Sequence, residues 1–332
     1  MNTFGRAFRM QIFGESHGPS VGLTLDGVPA GIPLEVADFE PDLARRRPGG
    51  KGTTARLEAD IPQLLSGNHK GFTTGAPLTI LFPNSNTRSE DYEHLRDTPR
   101  PGHADFVLHH KWNGYNDPRG GGHSSGRLTV ALVAAGVVAK KCLPEVQIAA
   151  KLIEAGGDLN IDHALEQALV RQDSIGGIVE CRISGIPAGW GEPFFDSLES
   201  TIAHLVFSIP AIKGIAFGAG FEAARMTGST HNDAIVSADG ATRTNHAGGI
   251  NGGISNGNEI VFRVAVKPTS STPAPQESFS RKEGKVVPLA VRGRHDLCIA
   301  LRVPVVVEAA AALALADAKA MNSGHNFEKI ST

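Results

Sequence analysis

The segment Gly14-Glu15-Ser16-His17-Gly18 sets a hydroxyl beside an imidazole between two glycines. Read as G-x-S-x-G, it has the spacing of a nucleophile elbow, where a strand turns sharply into a helix and exposes a serine for acyl transfer. The flanks argue otherwise. Ala7 to Phe13 alternates as a strand, but Ser20-Val21-Gly22-Leu23-Thr24-Leu25-Asp26 alternates as a second strand, and no helix follows the motif. An elbow so early also lacks the preceding strands that build an oxyanion hole. A serine esterase therefore stands as a rival class, distinguished by acylation of Ser16 with a fluorophosphonate. His17 and His103 lie in glycine-containing loops among charged groups. An imidazole, with an ordinary pKa of ~6.5, suits general acid catalysis there.

Arginines recur as Arg45-Arg46-Arg47, then Arg100, Arg119 and Arg127, then Arg292, Arg294 and Arg302. Guanidinium groups pair bidentately with carboxylates and phosphates, so the set suits a substrate with several anionic groups. Any single one is as well explained as solvated surface charge. Gly120-Gly121-Gly122-His123-Ser124-Ser125, just before an apolar helix, offers close backbone approach and free N–H groups to an anion or cofactor. Lys267-Pro268-Thr269-Ser270-Ser271, after a strand, adds a cation and several hydroxyls, as a phosphate needs.

Three other chemistries are excluded. Gly49-Gly50-Lys51-Gly52-Thr53-Thr54 has the composition of a P-loop, but position 45 is not glycine and Gly52 separates the lysine from the threonines. No G-x-G-x-x-G opens an early strand-helix unit, so a dinucleotide-binding fold is not indicated. His109-His110 points its two rings apart on any regular element and no H-E-x-x-H occurs, so no metal site is expected.

The elements that must position these residues repeat. Val21 to Gly31 and Val179 to Gly189 each read as a strand ending in Gly-(Val or Ile)-Pro-Ala-Gly. Each leads to a helix, Asp38 to Arg47 and Ser197 to Phe207, the latter opened by Asp196 with Glu199 as a capping box. Arg127 and Arg302 each precede a helix apolar on nearly every face, Leu128 to Cys142 and Pro304 to Met321, as buried helices are. The expected fold is α+β: one domain over residues 1–332, with pseudo-twofold halves of roughly 1–150 and 170–321 and long apolar helices covered by antiparallel sheets. Further strands are expected at Leu78 to Phe82 and Glu259 to Lys267, a long functional loop from Asn84 to Gly126, and a frayed tail from Asn322.

With 332 residues, 41% hydrophobic and 20% charged, the chain has the composition of a globular protein. A formal net charge of -2 opposes nucleic-acid binding by bulk charge. Cys142, Cys181 and Cys298 are odd in number and widely spaced, which fits a reducing cytoplasm and neither a disulfide framework nor a zinc site. No signal peptide and no membrane-length apolar run is evident.

The motifs occur in a fixed order. After Gly-Glu-Ser-His-Gly come Arg45-Arg46-Arg47-Pro48-Gly49, Arg100-Pro101-Gly102-His103-Ala104-Asp105 and Gly120 to Arg127. Asn245-His246-Ala247-Gly248-Gly249-Ile250, Gly252 to Gly257, Lys267 to Ser271, Arg294-His295-Asp296 and Arg302 complete the series. Together they closely resemble the chorismate synthase family, from about Phe4 to about Ala318. The resemblance implies a β-α-β sandwich, a homotetramer, and a trans-1,4 elimination of phosphate from 5-enolpyruvylshikimate 3-phosphate giving chorismate, the last common step toward aromatic amino acids. It also implies reduced FMN as cofactor, with NADPH or a separate flavin reductase as the source of reducing equivalents.

By motif, the resemblance implies that His17 protonates the departing phosphate, His103 protonates the reduced flavin and Asp296 assists proton removal. Substrate would contact Ser16, Arg46, Arg100, Arg127 and Arg302. FMN would contact His123, Ser124, Ser125, Pro210, Ala211, Gly252, Lys267, Pro268, Thr269, Ser270, Ser271 and Arg294, while Arg46 and Lys51 match positions linked with NADP. Two positions depart from the commonest family pattern: His123-Ser124-Ser125-Gly126-Arg127 stands for Arg-Ser-Ser-Ala-Arg, and Pro210-Ala211 for Asn-Ala. A non-catalytic flavin-binding module is the second rival class; it would bind FMN and leave the shikimate ester untouched.

Overall fold

The computed structural model of the chain describes residues 2–54, 58–86, 95–291 and 295–323. In chain order the first half contains β1 (Thr3–Phe4), β2 (Arg9–Gly14), β3 (Ser20–Asp26), α1 (Glu40–Arg46), β4 (Gln63–Ser66), β5 (Asn68–His69), β6 (Phe72–Thr73), β7 (Leu78–Pro83), α2 (Asp105–Lys111) and α3 (Thr129–Lys141). The second half contains β8 (Gln147–Ala155), α4 (Ile161–Arg171), β9 (Gly177–Ser184), α5 (Leu198–Ser208), β10 (Ile212–Phe217), α6 (Gly228–His231), β11 (Ile250–Asn251) and β12 (Ile254–Ser255). It continues through β13 (Ile260–Val266), β14 (Gln276–Ser280), β15 (Lys285–Leu289) and α7 (Val303–Ser323).

Alternation along the strands decides the faces. Val21, Leu23 and Leu25 of β3 and Leu78, Ile80 and Phe82 of β7 are fully buried, as are Val179, Cys181 and Ile183 of β9 and Ile260, Phe262 and Val264 of β13. Nine of the strands form two antiparallel sheets, ordered β1-β2-β3-β7-β4 and β10-β13-β9-β8, and the other six pair as β5-β6, β11-β12 and β14-β15. Between them lie the helices. Residues Thr129 to Ala139 of α3 are buried without interruption, and α7 is buried almost throughout from Val303 to Ala316, so neither helix has a solvent face. The first sheet packs on α3 and the second on α7. The two helices pack on each other, α1 lies against α3 and α5 against α7.

Small residues set the α3–α7 distance. A Cβ added at Gly136 would lie 2.3 Å from Ala309 Cβ, so the helices meet almost backbone to backbone. One hydrophobic core includes residues of both sheets and all four inner helices. A buried carboxylate ties the halves as well: Glu308 on α7 accepts two bonds of 2.7 Å from Arg45 and one of 3.1 Å from Lys140 Nζ, and takes the Ala150 N–H at 2.9 Å. Near the other end of α7, Asp317 accepts the backbone N–H groups of Arg6, Ala7 and Phe8 at 2.8–3.0 Å, pinning the entry to β2.

Several expectations need correction. Ser197, not Asp196, caps α5: its hydroxyl accepts from Ser200 N–H at 3.1 Å, while Asp196 pairs with Arg6 at 2.6 Å. The segment from Asn84 to Gly126 is not all loop, since it contains α2. Helix α7 begins one residue before Pro304 and extends to Ser323; the expected frayed tail beyond it lies outside the described residues.

Candidate active site

Two adjoining chambers open where the ends of α1 and α5 meet the starts of α3 and α7. The larger, about 660 Å³, has an apolar wall including Met10, Ile12, Leu128, Leu132, Leu205 and Ile209, and a polar rim from Arg100, His103, His123, Lys267 and Ser270. The smaller, about 190 Å³, is lined by Arg46, Arg127 and Arg302 with Glu58, Asp60, His295 and Asp296. Gly120, Ser125, Gly126, Thr129, Pro210 and Thr269 belong to both walls.

The smaller chamber gathers three guanidiniums and holds them in place with carboxylates. Asp60, buried and left-handed at φ 50°, bridges Arg46 Nη1 at 2.9 Å and Arg127 Nη1. Arg46 is pinned further by its bonds to Thr129 Oγ1 at 3.1 Å and the Arg127 carbonyl at 3.2 Å. Arg302 donates to both Asp296 oxygens, at 3.0 and 3.2 Å, and through Nε to the Arg46 carbonyl at 2.7 Å. Asp296 also receives the Thr54 N–H at 3.0 Å. Three guanidiniums share the chamber with three carboxylates, Glu58, Asp60 and Asp296; Asp60 pairs with Arg46 and Arg127 and Asp296 with Arg302, while Glu58 is taken up by Ser85 and Asn86. Burial, then the neighbouring charges of Arg302 and Arg127, push the Arg46 guanidinium down to about 9 against the pull of Asp60; it stays charged at neutral pH. Arg127 Nη2 is buried with no partner among the described residues, an orphaned donor beside the chamber.

The loop from Arg119 to Ser125 divides the chambers. Gly120, Gly121 and Gly122 all have positive φ, and a Cβ at Gly120 would lie 2.6 Å from His17 Nε2 and 2.8 Å from Ser16 Oγ. Only glycine lets the wall lie flat on the imidazole. Ser16 N–H donates to the Gly122 carbonyl at 3.1 Å, which locks the two motifs together. His17 thus stands immediately behind the shared wall, and Ser16 is fully buried, a poor position for a serine nucleophile. The Ser125 hydroxyl accepts the Arg127 N–H at 3.3 Å, so the expected free amide there is partly consumed by a cap.

In the larger chamber, Arg100 donates to Ser271 Oγ at 2.9 Å and Ser270 Oγ donates to the Gly102 carbonyl at 2.8 Å. Lys267 Nζ donates to Ser270 Oγ at 2.7 Å, and burial, then nearby Lys213, pull its ammonium below the ordinary lysine range. Thr269 Oγ1 is buried and, among the described residues, unpartnered. Ala211, which lines this chamber, sits in the left-handed region at φ 77°, and its carbonyl accepts the Lys267 N–H at 2.9 Å.

Most sequence-predicted residues converge here, with qualifications. Arg100 lines the larger chamber, away from the three arginines of the smaller one. Pro268 is in the motif but is not a wall residue of either chamber. Gly252 lies elsewhere: it forms the β11–β12 turn, whose next residue, Gly253, accepts the Leu198 N–H at the start of α5. Lys51 pairs on the surface with Glu166 at 2.9 Å, whereas Arg46 is buried, so the two share no wall. Arg294 and Arg292 lie outside the described residues. His123 lines the larger chamber, yet its Nδ1 is engaged by the Gly14 carbonyl at 2.7 Å. Sequence reasoning missed Asp60, which carries no motif spacing, and Asp105, two residues beyond His103 in a motif that was noticed.

Comparison with known proteins finds one family over nearly the whole chain. A sequence profile described as chorismate synthase matches residues 8–320. The chain is 65% identical over 318 residues to a chorismate synthase of Chitinophaga pinensis, covering 96% of each. It is 44% identical to one from Korarchaeum cryptofilum, covering 95% of this chain and 96% of that one. Its structure is similar to a crystal structure of chorismate synthase, with TM-score 0.75 and 26% identity over 97% of this chain and 94% of that chain. A matched profile over nearly the whole length and a relative at this identity place the chain in the chorismate synthase family.

Proposed function

We propose that the larger chamber holds reduced FMN and the smaller holds 5-enolpyruvylshikimate 3-phosphate, so that the two meet across the wall formed by Gly120, Ser125 and Thr269. The activity is that of a carbon–oxygen lyase acting on phosphates: phosphate leaves by 1,4-elimination and chorismate forms. The observation that carries the assignment of chambers is the orphaned, buried Arg127 Nη2 in a pocket walled by three guanidiniums, beside a larger apolar one.

The residues of the larger chamber fit a flavin mononucleotide. The apolar wall suits a flat ring system, Lys267, Arg100 and Ser270 suit a phosphate, and the unpartnered Thr269 hydroxyl supplies one more donor. Reduced FMN supplies the transient electron density that side chains cannot lend. The chain's own groups do the rest. Arg46, Arg127 and Arg302 hold the substrate's anions; His17, behind Gly120, delivers a proton to the departing phosphate; His103 is the proton donor facing the cofactor. The Asp296 carboxylate, oriented by Arg302 and the Thr54 N–H, assists proton removal at the edge of the smaller chamber.

Other parts of the reading are supported less directly. We read the two ββαββα halves, whose sheets run β2-β3-β7-β4 and β8-β9-β13-β10, as an internal duplication within one domain. Among the described residues no helix is long and apolar enough to cross a membrane, and the three cysteines are free, which supports the cytoplasmic assignment. Phe194 and Phe195, 87% and 92% exposed, support self-association, here read as a homotetramer. Reducing equivalents come from NADPH or from a separate flavin reductase; the separation of Lys51 from Arg46 lends an NADPH site no support.

The test is anaerobic turnover with dithionite-reduced FMN, in which one phosphate is released per chorismate and the flavin ends still reduced. Phosphate release that proceeds equally well without reduced FMN overturns the reading. Flavin binding without turnover would leave the flavin-module rival, and fluorophosphonate labelling of Ser16 the esterase.

A further inference from the structure

His103 does not stand alone at the chamber wall. Asp105, at the first position of α2, sets Oδ1 2.7 Å from His103 Nδ1. The same carboxylate accepts Arg100 Nε at 2.7 Å and Nη2 at 2.8 Å, and the Arg100 backbone N–H at 3.1 Å. Arg100 in turn reaches Ser271 at 2.9 Å, so Asp105 is the hub that fixes arginine, imidazole and the cofactor-side loop together. Burial opposes its ionisation, but the bonds from Arg100 and His103 outweigh burial and hold the carboxyl well below the usual carboxylate range. Gly121 packs on the opposite side of the ring, 3.3 and 3.4 Å from Cε1 and Nε2 as measured from a Cβ placed there.

The geometry points to Asp105 as the positioning residue of His103: it holds the proton on Nδ1 and leaves Nε2 as the atom that takes up and delivers a proton in the larger chamber. This rests on the reading of His103 as a proton donor. Two donors approach the same Nδ1, Arg100 Nη2 at 3.1 Å and the Asp105 N–H at 3.2 Å, and favour the opposite tautomer. The carboxylate oxygen is nearer, at 2.7 Å, as an ion-pair contact and not an aligned hydrogen bond, and its negative charge decides for the proton on Nδ1. On its own segment the ring faces Arg100 and Asp105. From the loop opposite come His123 and, behind Gly120, His17; from the segment just after β13 comes Lys267. Arg100 and Lys267 place positive charge on this side of the chamber, and Asp105 supplies the negative charge that supports the ring. Replacing Asp105 by asparagine removes that support and also releases Arg100 beside the ring.

The experiment uses the full chain, its Asp105→Asn and Asp105→Glu variants, and His103→Gln to assign the ring signals. Nitrogen-15 NMR of His103 without cofactor reads the tautomer directly. The parent shows Nδ1–H in the neutral ring, and Asp105→Asn shifts the population toward Nε2–H. Turnover of Asp105→Asn falls about 10- to 100-fold, and the alkaline limb of its rate profile moves about one pH unit lower, with FMN affinity within about threefold of the parent. Asp105→Glu recovers most of the rate. An Nε2–H tautomer in the parent overturns the inference whether or not Asp105→Asn folds. So does an Asp105→Asn enzyme with the parental pH limb, or one whose loss is explained by weaker FMN binding. Full turnover by His103→Gln sinks the proton-donor reading instead, and leaves the NMR result standing.

Discussion

The two halves share one scaffold and end it differently. In the first, the inner helix α1 finishes in Arg45-Arg46-Arg47 and builds the charged chamber; in the second, the matching helix α5 finishes in Phe207-Ser208-Ile209-Pro210 and builds part of the apolar one. The entries to the long helices, by contrast, have kept the same residue. Arg127 before α3 and Arg302 before α7 follow similar tight turns, and each is matched to a carboxylate, Asp60 or Asp296. On the proposed duplication and chamber assignment, the halves keep a symmetric pair of arginines while differing at two helix ends, which separates a cofactor space from a substrate space. Charge decides the first space and apolar area the second.

That division can be broken from either side. Arg127→Ala removes a buried guanidinium and is expected to weaken substrate binding by roughly 1.5–3 kcal/mol, leaving FMN binding near the parent's. Lys267→Ala is expected to do the reverse, weakening FMN about tenfold with little change in substrate affinity. Fluorescence titration with flavin and calorimetry with substrate separate the two, and equal losses of both ligands in either variant would erase the division.

The shared scaffold is tested at its tightest point. In Gly136→Ala the new methyl meets Ala309 across the α3–α7 contact, so the halves must part. Destabilisation of roughly 1–3 kcal/mol is expected by denaturant unfolding; an unchanged midpoint would show that the helices can slide apart without cost. The smallest effect is expected at His123. Arginine there adds a fixed charge to the cofactor chamber but gives up the contact with the Gly14 carbonyl. FMN affinity across pH 6 to 8 should change by no more than about threefold; a larger, pH-dependent gain would mean that the imidazole faces the cofactor with its charge.

The site was more legible than the architecture around it. Glycine, histidine and arginine in unusual loops need a reason, so Ser16-His17, Arg100-His103 and the Gly120 loop could be picked out far from one another in sequence. The buried helices were legible because α3 and α7 show no polar face. Asp60 was not, since a lone acid becomes a partner for two arginines only after the chain has turned left-handed there. Strand β8 was missed because Gln147-Ile148-Ala149-Ala150-Lys151 gives a weak alternation of small residues. Helix α2 has no buried residue to mark a period. At α5, Asp196 and Ser197 are both good caps, and the choice fell to the one whose neighbour was not Arg6.

The grip of Asp317 on the amides of Arg6, Ala7 and Phe8 spans 309 to 311 residues of sequence. Those bonds cannot form until residue 317 has been made. Asn2, Thr3 and Phe4, just ahead of that anchor, line the larger chamber. These residues, made long before residue 317, are therefore among the last of the described fold to be fixed. A chain cut short before Asp317 would lack this anchor, so synthesis of α7 through that residue precedes a finished larger chamber.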